Sequence, residues 1–221
     1  MKTYLGSHGL HNEDNLDTIL EVLGYATDEY TSITAVRVDT HYPPELEDTV
    51  ACFINREPGA ISRFIDSLKE ILKNSERRRR RNGIRVHPNT LSDVWAKEYS
   101  QSGKCHFHIC LFFNEQAYNR LGDYNIDTSL RMMIVRAWYS ALGLVPEDYP
   151  GLVHFPKNCR YILDRNSADY IYEYGELVHR LDYLTKLDSK IYEEGEETLA
   201  VAGSNLLRGL LCVGRPFLRR L

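Results

Sequence analysis

The stretch KCHFHICLFF, residues 104–113, reads as a β-strand with two unlike faces. Side chains alternate across a strand. Phe107, Ile109, Leu111 and Phe113 therefore form one wholly apolar face, while His106, His108, Cys110 and Phe112 form the other. The apolar set is expected to pack against helices. The second set turns two imidazoles the other way, and a bare His-x-His does not say why, because short motifs arise by accident.

The flanking sequence supplies the frame. LSDVWAKEY (91–99) is a second strand and SQSGK (100–104) a turn, so the two strands make a β-hairpin. SITAVRVDTHYP (32–43) alternates, is β-branched, and is ended by Pro43 and Pro44. Ile61, Phe64, Ile65, Leu68, Ile71 and Leu72 mark one stripe of a helix that runs into Arg77–Arg81 and stops at Asn82-Gly83. A first helix is expected over 12–25 and a short one in NEQAYNRLG (114–122). A further helix over 128–143 has Gly143 as its stop. Short strands are expected at 151–156 and 159–164, then a long helix over 167–190 capped by Asn166 or Ser167.

From residue 32 this is the βαββαβ order of a ferredoxin-like α+β fold. An antiparallel sheet would carry helices on one face, and the histidine face would look toward the other, open side. Residues 1–31 read as a helical N-terminal extension, 32–190 as the functional domain, and 191–221 as a partly basic tail.

Bulk composition is that of an ordinary globular protein, 43% hydrophobic and 26% charged, and the chain has no apolar run long enough for a membrane span. The N-terminus lacks an apolar signal core, so export is not expected. Five cysteines without a C-x-x-C pair point to reduced thiols in a cytoplasm, not to a disulfide frame or a zinc knuckle. Net charge is −4, from 27 basic and 31 acidic residues, which argues against a protein that coats nucleic acid broadly. The charge is uneven, however. Arg77, Arg78, Arg79, Arg80 and Arg81 form one basic cluster, and Arg208, Arg215, Arg219 and Arg220 form a second near the C-terminus. Each can be a phosphate contact or a solvated helix end or tail.

Two imidazoles on one face can share a metal ion, but a usable site needs a third ligand. Glu98 lies just across the expected hairpin from His106, where cross-strand neighbours stand roughly 4.5–5.5 Å apart. A His/His/carboxylate set with open positions suits Mg²⁺ or Mn²⁺ and leaves room for a substrate oxygen. In the last helix Tyr170, Tyr174, Leu177, Leu181 and Leu184 form the packed stripe, and Tyr183 lies off it with Lys186 three positions on. A phenol beside an ammonium has reason to ionise more easily.

At these residues the chain resembles the HUH endonuclease superfamily, which contains rolling-circle replication initiators, relaxases and single-tyrosine transposases. It is most similar to the prophage- and inovirus-type replication proteins of the YagK/YfjJ-like group. The words that carry the resemblance are VRVDTHYP, HFHICLFFNEQAYNRLGDY, VRAWYSALGL, GLVHFPKN and RLDYLTK, spread from about residue 36 to 190. The resemblance implies that His106 and His108 ligate a divalent metal, Mg²⁺ or Mn²⁺, that Tyr183 is the nucleophile, and that Lys186 assists it. Glu98 as third ligand rests more on the hairpin geometry. The implied activity is site-specific nicking and joining of single-stranded or hairpin origin DNA through a 5′-phosphotyrosine link. With no P-loop in the chain, a separate helicase and host replication proteins would be partners. Arg37 and His41 on the 32–43 strand, the arginines 77–81, and His154 are expected as further DNA contacts. A relaxase or transposase role is not separable from replication at this level. A metal hydrolase using water, or a DNA-binding module that does not cut, are the rivals.

Overall fold

The hairpin around the two histidines forms the middle of a six-stranded antiparallel sheet. This is seen in a computed structural model that describes residues 2–44, 59–99, 105–187 and 199–202, the last four as backbone only. The elements are β1 (Thr3–Gly6), β2 (Gly9–Asn12), α1 (Glu13–Glu29), β3 (Ser32–His41), α2 (Ala60–Arg81), β4 (Ser92–Tyr99) and β5 (Cys105–Asn114). They continue with α3 (Leu130–Leu142), β6 (Val153–His154), β7 (Arg160–Asp164), α4 (Tyr170–Asp182), a 3₁₀ turn (Tyr183–Thr185) and β8 (Leu199–Ala202). The expected turn at 100–104 and the basic residues Arg208, Arg215, Arg219 and Arg220 lie outside the described residues, as do Cys52 and Cys212.

The fold is α+β, as the element order implied. The large sheet runs β6–β3–β5–β4–β8, and β7 also pairs with β3 on the β6 side. β3 and β4, joined through α2, run parallel but are split by β5, which is antiparallel to both. No helix among the described residues is long and apolar enough to cross a membrane.

One face of the sheet is packed as foreseen. Val36 and Val38 of β3, Trp95 of β4, and Phe107, Ile109, Leu111 and Phe113 of β5 meet Phe64, Ile65, Leu68 and Leu72 of α2 and Ile134, Trp138 and Ala141 of α3. Trp138 packs edge-on to both Phe64 and Phe107 with ring centres 5.8 Å apart, and donates its indole N–H to the His41 carbonyl. Burying each such aromatic stabilises the domain by about 2–3 kcal/mol. Ser129 caps α3 through Met132 N, and Gly143 closes it in the left-handed region at φ 71°.

The other face is only partly open. α1, α4 and the 3₁₀ turn after it, which lie outside the βαββαβ unit, cover part of it through Ile19, Val22, Leu23, Leu177, Leu181 and Leu184, set against Ile33, Ala35, Val94, Ala96, Cys110 and Phe112. The reason lies in β5 itself: the histidine face turns apolar at Cys110 and Phe112, and that half needs a cover. The open region shrinks to the end that carries the histidines.

Three local expectations are corrected. NEQAYNRLG forms turns and no helix, because Asn114 takes the amides of Gln116, Ala117 and Tyr118 and the single turn is not continued. The last helix starts at Tyr170, not at a cap on Asn166 or Ser167; Asp164 and Ser167 instead hold the preceding turn by accepting from Asn166 N and Asp169 N. It also ends at Asp182, so Tyr183 sits in the 3₁₀ turn and Lys186 beyond it. Finally, the N-terminal extension is not helical throughout, since a β1–β2 hairpin precedes α1.

Candidate metal and tyrosine site

Sheet register assembles the site. His41 pairs with His106, Asp39 with His108, and Glu98 with His106 on the opposite side. Asp39 and His41 on β3, His106 and His108 on β5 and Glu98 on β4 therefore share one sheet face. Glu98 stands across the hairpin from His106, as its place in the sequence implied. One ligand atom each from Glu98, His106 and His108 can lie within 4.8 Å of the other two, a spacing that can hold a metal ion. Glu98 Oε2 is 3.2 Å from His108 Nε2 and 3.9 Å from His106 Nε2. Glu98 is buried, and the two imidazoles reach the surface only at their edges.

Asp39 explains why these atoms suit a cation. His108 Nδ1 donates to Asp39 Oδ1 at 2.6 Å. Burial pushes the Asp39 carboxyl up, but the His108 hydrogen bond and the Arg37 guanidinium outweigh it and bring it down to about 2, so Asp39 is a carboxylate and must accept. His108 is then left with Nε2 toward Glu98. In the neutral ring, two lone-pair atoms face each other at 3.2 Å, an arrangement that a shared cation or a proton relieves. Burial pulls the His108 pKa down, yet the hydrogen bonds to Asp39 and Glu98 prevail and raise it. The donor set thus fits a divalent ion held by His106, His108 and Glu98, with Asp39 orienting His108 from behind.

Tyr183 stands beside this cluster. Its ring meets His108 edge-on with centres 5.2 Å apart, and His8 of the β1–β2 turn edge-on at 5.1 Å. Lys186 Nζ lies 6.0 Å from the Tyr183 ring centre. The eased ionisation expected from that lysine is not found. Burial first, and then the negative charge of Glu98, push the Tyr183 phenol above its ordinary value, with Arg37 opposing.

The remaining candidates divide. His41 stacks on His106 at 5.4 Å, its pKa lowered by burial and then by the His106 charge, and exposed His154 places Nδ1 3.7 Å from Asp39 Oδ2. Both border the site. Arg37, expected as a DNA contact, is 3% exposed and turned inward, with Nη1 at 3.0 Å from Asp39 and donating to the carbonyls of Val38 and Ile109. The arginines 77–81 lie at the far end of the sheet. Lys69, Lys73 and Glu76 of α2 share a pocket with Asn89–Leu91, which lead into β4 and so stand about 20 Å along it from Glu98, and Arg77–Arg81 follow at the end of the helix.

Two features escaped the sequence reading. One is the role of Asp39: the sequence places it with Arg37 and His41 on one face of the 32–43 strand, but only the β3–β5 register sets it against His108. The N-terminal hairpin carried no comparable signal. Its His11 is fully buried, with Nδ1 2.9 Å from Thr185 Oγ1 and 3.1 Å from the Asp182 carbonyl. Tyr4 donates its hydroxyl to Asp182, and Leu187 N donates to the Leu10 carbonyl. The hairpin thereby clamps the turn that carries Tyr183.

Comparison with known proteins agrees with this extent. Residues 1–199 match the YagK/YfjJ C-terminal domain, a span that takes in the hairpin and the site. The chain is 52% identical to the uncharacterized protein YagK of Escherichia coli (strain K12) over 198 residues, 89% of this chain and 95% of that protein. It is 36% identical to the uncharacterized protein YfjJ of the same organism over 199 residues, 88% of this chain and 96% of that one. No solved structure matches. The chain belongs to the YagK/YfjJ C-terminal domain family.

Proposed function

We propose that this protein is an HUH-type endonuclease that nicks and rejoins single-stranded DNA at a specific site, in the manner of a rolling-circle replication initiator. The observation that carries the reading is the single tyrosine, Tyr183, edge-on to a histidine of a His/His/Glu group. His106, His108 and Glu98 would hold Mg²⁺ or Mn²⁺, which supplies Lewis-acid polarisation of a scissile phosphate. Asp39 keeps Nδ1 of His108 protonated and Nε2 free to ligate. Tyr183 Oη forms the new bond to phosphorus as the bond from phosphorus to the 3′-oxygen breaks. The phenol gives up its proton and the leaving 3′-oxygen gains one, so the step is balanced. The product is a 5′-phosphotyrosine and a free 3′-hydroxyl, and reversal rejoins the strand. Lys186, adjacent to the ring, would steady the phosphate charge. Single-stranded or hairpin origin DNA is the substrate, with unwinding left to a separate helicase.

The test is to incubate the protein with Mn²⁺ and a pool of randomised single-stranded hairpin oligonucleotides, then look for a protein–DNA band that survives SDS. Tyr183→Phe and His106→Ala/His108→Ala are run alongside. A band lost in both variants is the expected result. Cleavage that persists in Tyr183→Phe would replace the reading with a water-using metal hydrolase, and binding without cleavage under any metal would leave a DNA-binding module.

A further inference from the structure

A basic cavity lies at the other end of the domain, where neither the metal group nor Tyr183 reaches. It has a volume of about 440 Å³ and is bounded by Arg78, Arg79 and Asn82 at the end of α2, by Tyr118 and Arg120 of the loop after β5, and by Ser129 at the start of α3. No carboxylate lines it. Basic residues in the last turn of a helix are expected from the helix dipole alone. That does not account for Arg120, which arrives from a separate loop, nor for the positive end of α3 turned to the same space. Three like charges gather around one cavity, and Glu76, whose charge reaches Arg79, Arg80 and Tyr118, offsets them only in part. Tyr118 is 7% exposed, and its hydroxyl makes no hydrogen bond among the described residues.

The ground between this cavity and the metal group is also furnished. Arg131 opens α3 with its guanidinium between the rings of Tyr124 and Phe155, at 4.6 and 4.5 Å from their centres. Its Nε is fixed on the Gly122 carbonyl. Phe155 follows His154, which faces Asp39. A strip of arginine and half-exposed aromatic rings thus runs from the metal end toward the basic cavity, which is how proteins hold single strands.

We propose that the cavity is a phosphate-binding site for the backbone of the same nucleic-acid strand, several nucleotides from the position that meets Tyr183. The strand as the source of the phosphate rests on the proposed function; the phosphate chemistry of the cavity does not.

The experiment measures fluorescence anisotropy of a labelled 20-nucleotide oligo-dT with the full chain, in EDTA, over a KCl series. Arg78→Gln/Arg79→Gln/Arg120→Gln is expected to weaken binding at least tenfold and to lower the slope of log affinity against log salt by roughly 2, at about 0.7 per contact on a single strand. Arg120→Gln alone, on a loop and apart from the helix end, should give about a third of that change, which separates a lost contact from a damaged helix. Unchanged affinity and slope in both variants would overturn the proposal. A parallel titration with dAMP and pyrophosphate decides the source. If either binds the cavity while the oligonucleotide affinity ignores the three arginines, the strand assignment is overturned. A protein that shows this arginine-dependent binding but forms no adduct would lose the nicking function and keep the cavity.

Discussion

Asp39 and His108 are direct partners across the β3–β5 pair, and their side chains close a 2.6 Å hydrogen bond on the face that carries Glu98. A carboxylate behind a ligating imidazole fixes the ring's tautomer and orientation and raises its basicity. Arg37 in turn anchors Asp39 at 3.0 Å. The order Arg37–Asp39–His108 runs from the buried centre of the sheet to its rim, so the His108 ring is held from behind by two partly or fully buried side chains.

This makes the affinity for a divalent ion depend on a residue that does not touch it. Asp39→Asn preserves shape but weakens the hold on Nδ1 of His108. Mn²⁺ affinity, measured by calorimetry, is expected to fall about 10–100-fold, whereas Glu98→Gln, which removes a ligand, should fall further. Equal affinity in Asp39→Asn and wild type would show that Asp39 serves only Arg37.

The clamp of the N-terminal hairpin on the Tyr183 turn gives a second expectation. At Gly6 an added Cβ would come within 2.7 Å of the His11 ring and 3.1 Å of Asp182. His11 has no exposed side from which to yield. Gly6→Ala should therefore cost on the order of 1–3 kcal/mol in urea unfolding. It should also reduce SDS-stable adduct more than it reduces Mn²⁺ affinity, because it disturbs Tyr183 and leaves β4 and β5 alone. A variant as stable as wild type would mean that the hairpin adapts at no cost.

What was legible in advance follows from periodicity. The alternation of β5 separated core from site, and the hairpin length brought Glu98 opposite His106. The same strand also held the sign of a second cover, in Cys110 and Phe112, that the open-face expectation passed over. The end of α4 could not be read this way. Helical phase continues through Lys186, but tertiary pairing wins there: Lys186 forms a β-bridge with His11 and Leu187 N goes to Leu10. β1 and β2 have four residues each and expose Leu5 and Leu10, so neither strand shows an inward apolar pattern. Their pairing is set by the turn they grip, which no local window contains.

A third expectation concerns Tyr4 and Asp182. Burial, and then the hydrogen bond to Asp182, push the Tyr4 phenol up to about 12. Tyr4→Phe removes a donor to a half-buried carboxylate that also lies 3.4 Å from His11. Losing one charge-assisted bond should cost about 1.5–3 kcal/mol. Amide hydrogen exchange should locate the loss, with faster exchange in β1, β2 and the Tyr183 turn and unchanged exchange in β5.

Asp93 supplies a pH dependence away from the site. Its carboxyl lies on the α2 side of β4, fully buried, with neither oxygen hydrogen-bonded among the described residues. Burial pushes it up to about 7, with Lys69 opposing and Asp66 adding. The folded state therefore binds this proton more tightly than the unfolded chain, whose aspartate titrates near 3.9. Below that value Asp93 gives its full favourable contribution relative to the charged form. Between about 4 and 7 the unfolded state releases its proton first, so stability is lost as pH rises, and above 7 the loss is complete. Asp93→Asn removes the titration. It should match the wild type at pH 4 and exceed it at pH 8, by on the order of 4 kcal/mol or roughly 8–16 °C in Tm. Thermal unfolding of both proteins from pH 4 to 9 measures this directly. Parallel curves across the range would mean that Asp93 stays ionised in the folded protein, with Lys69 compensating its burial.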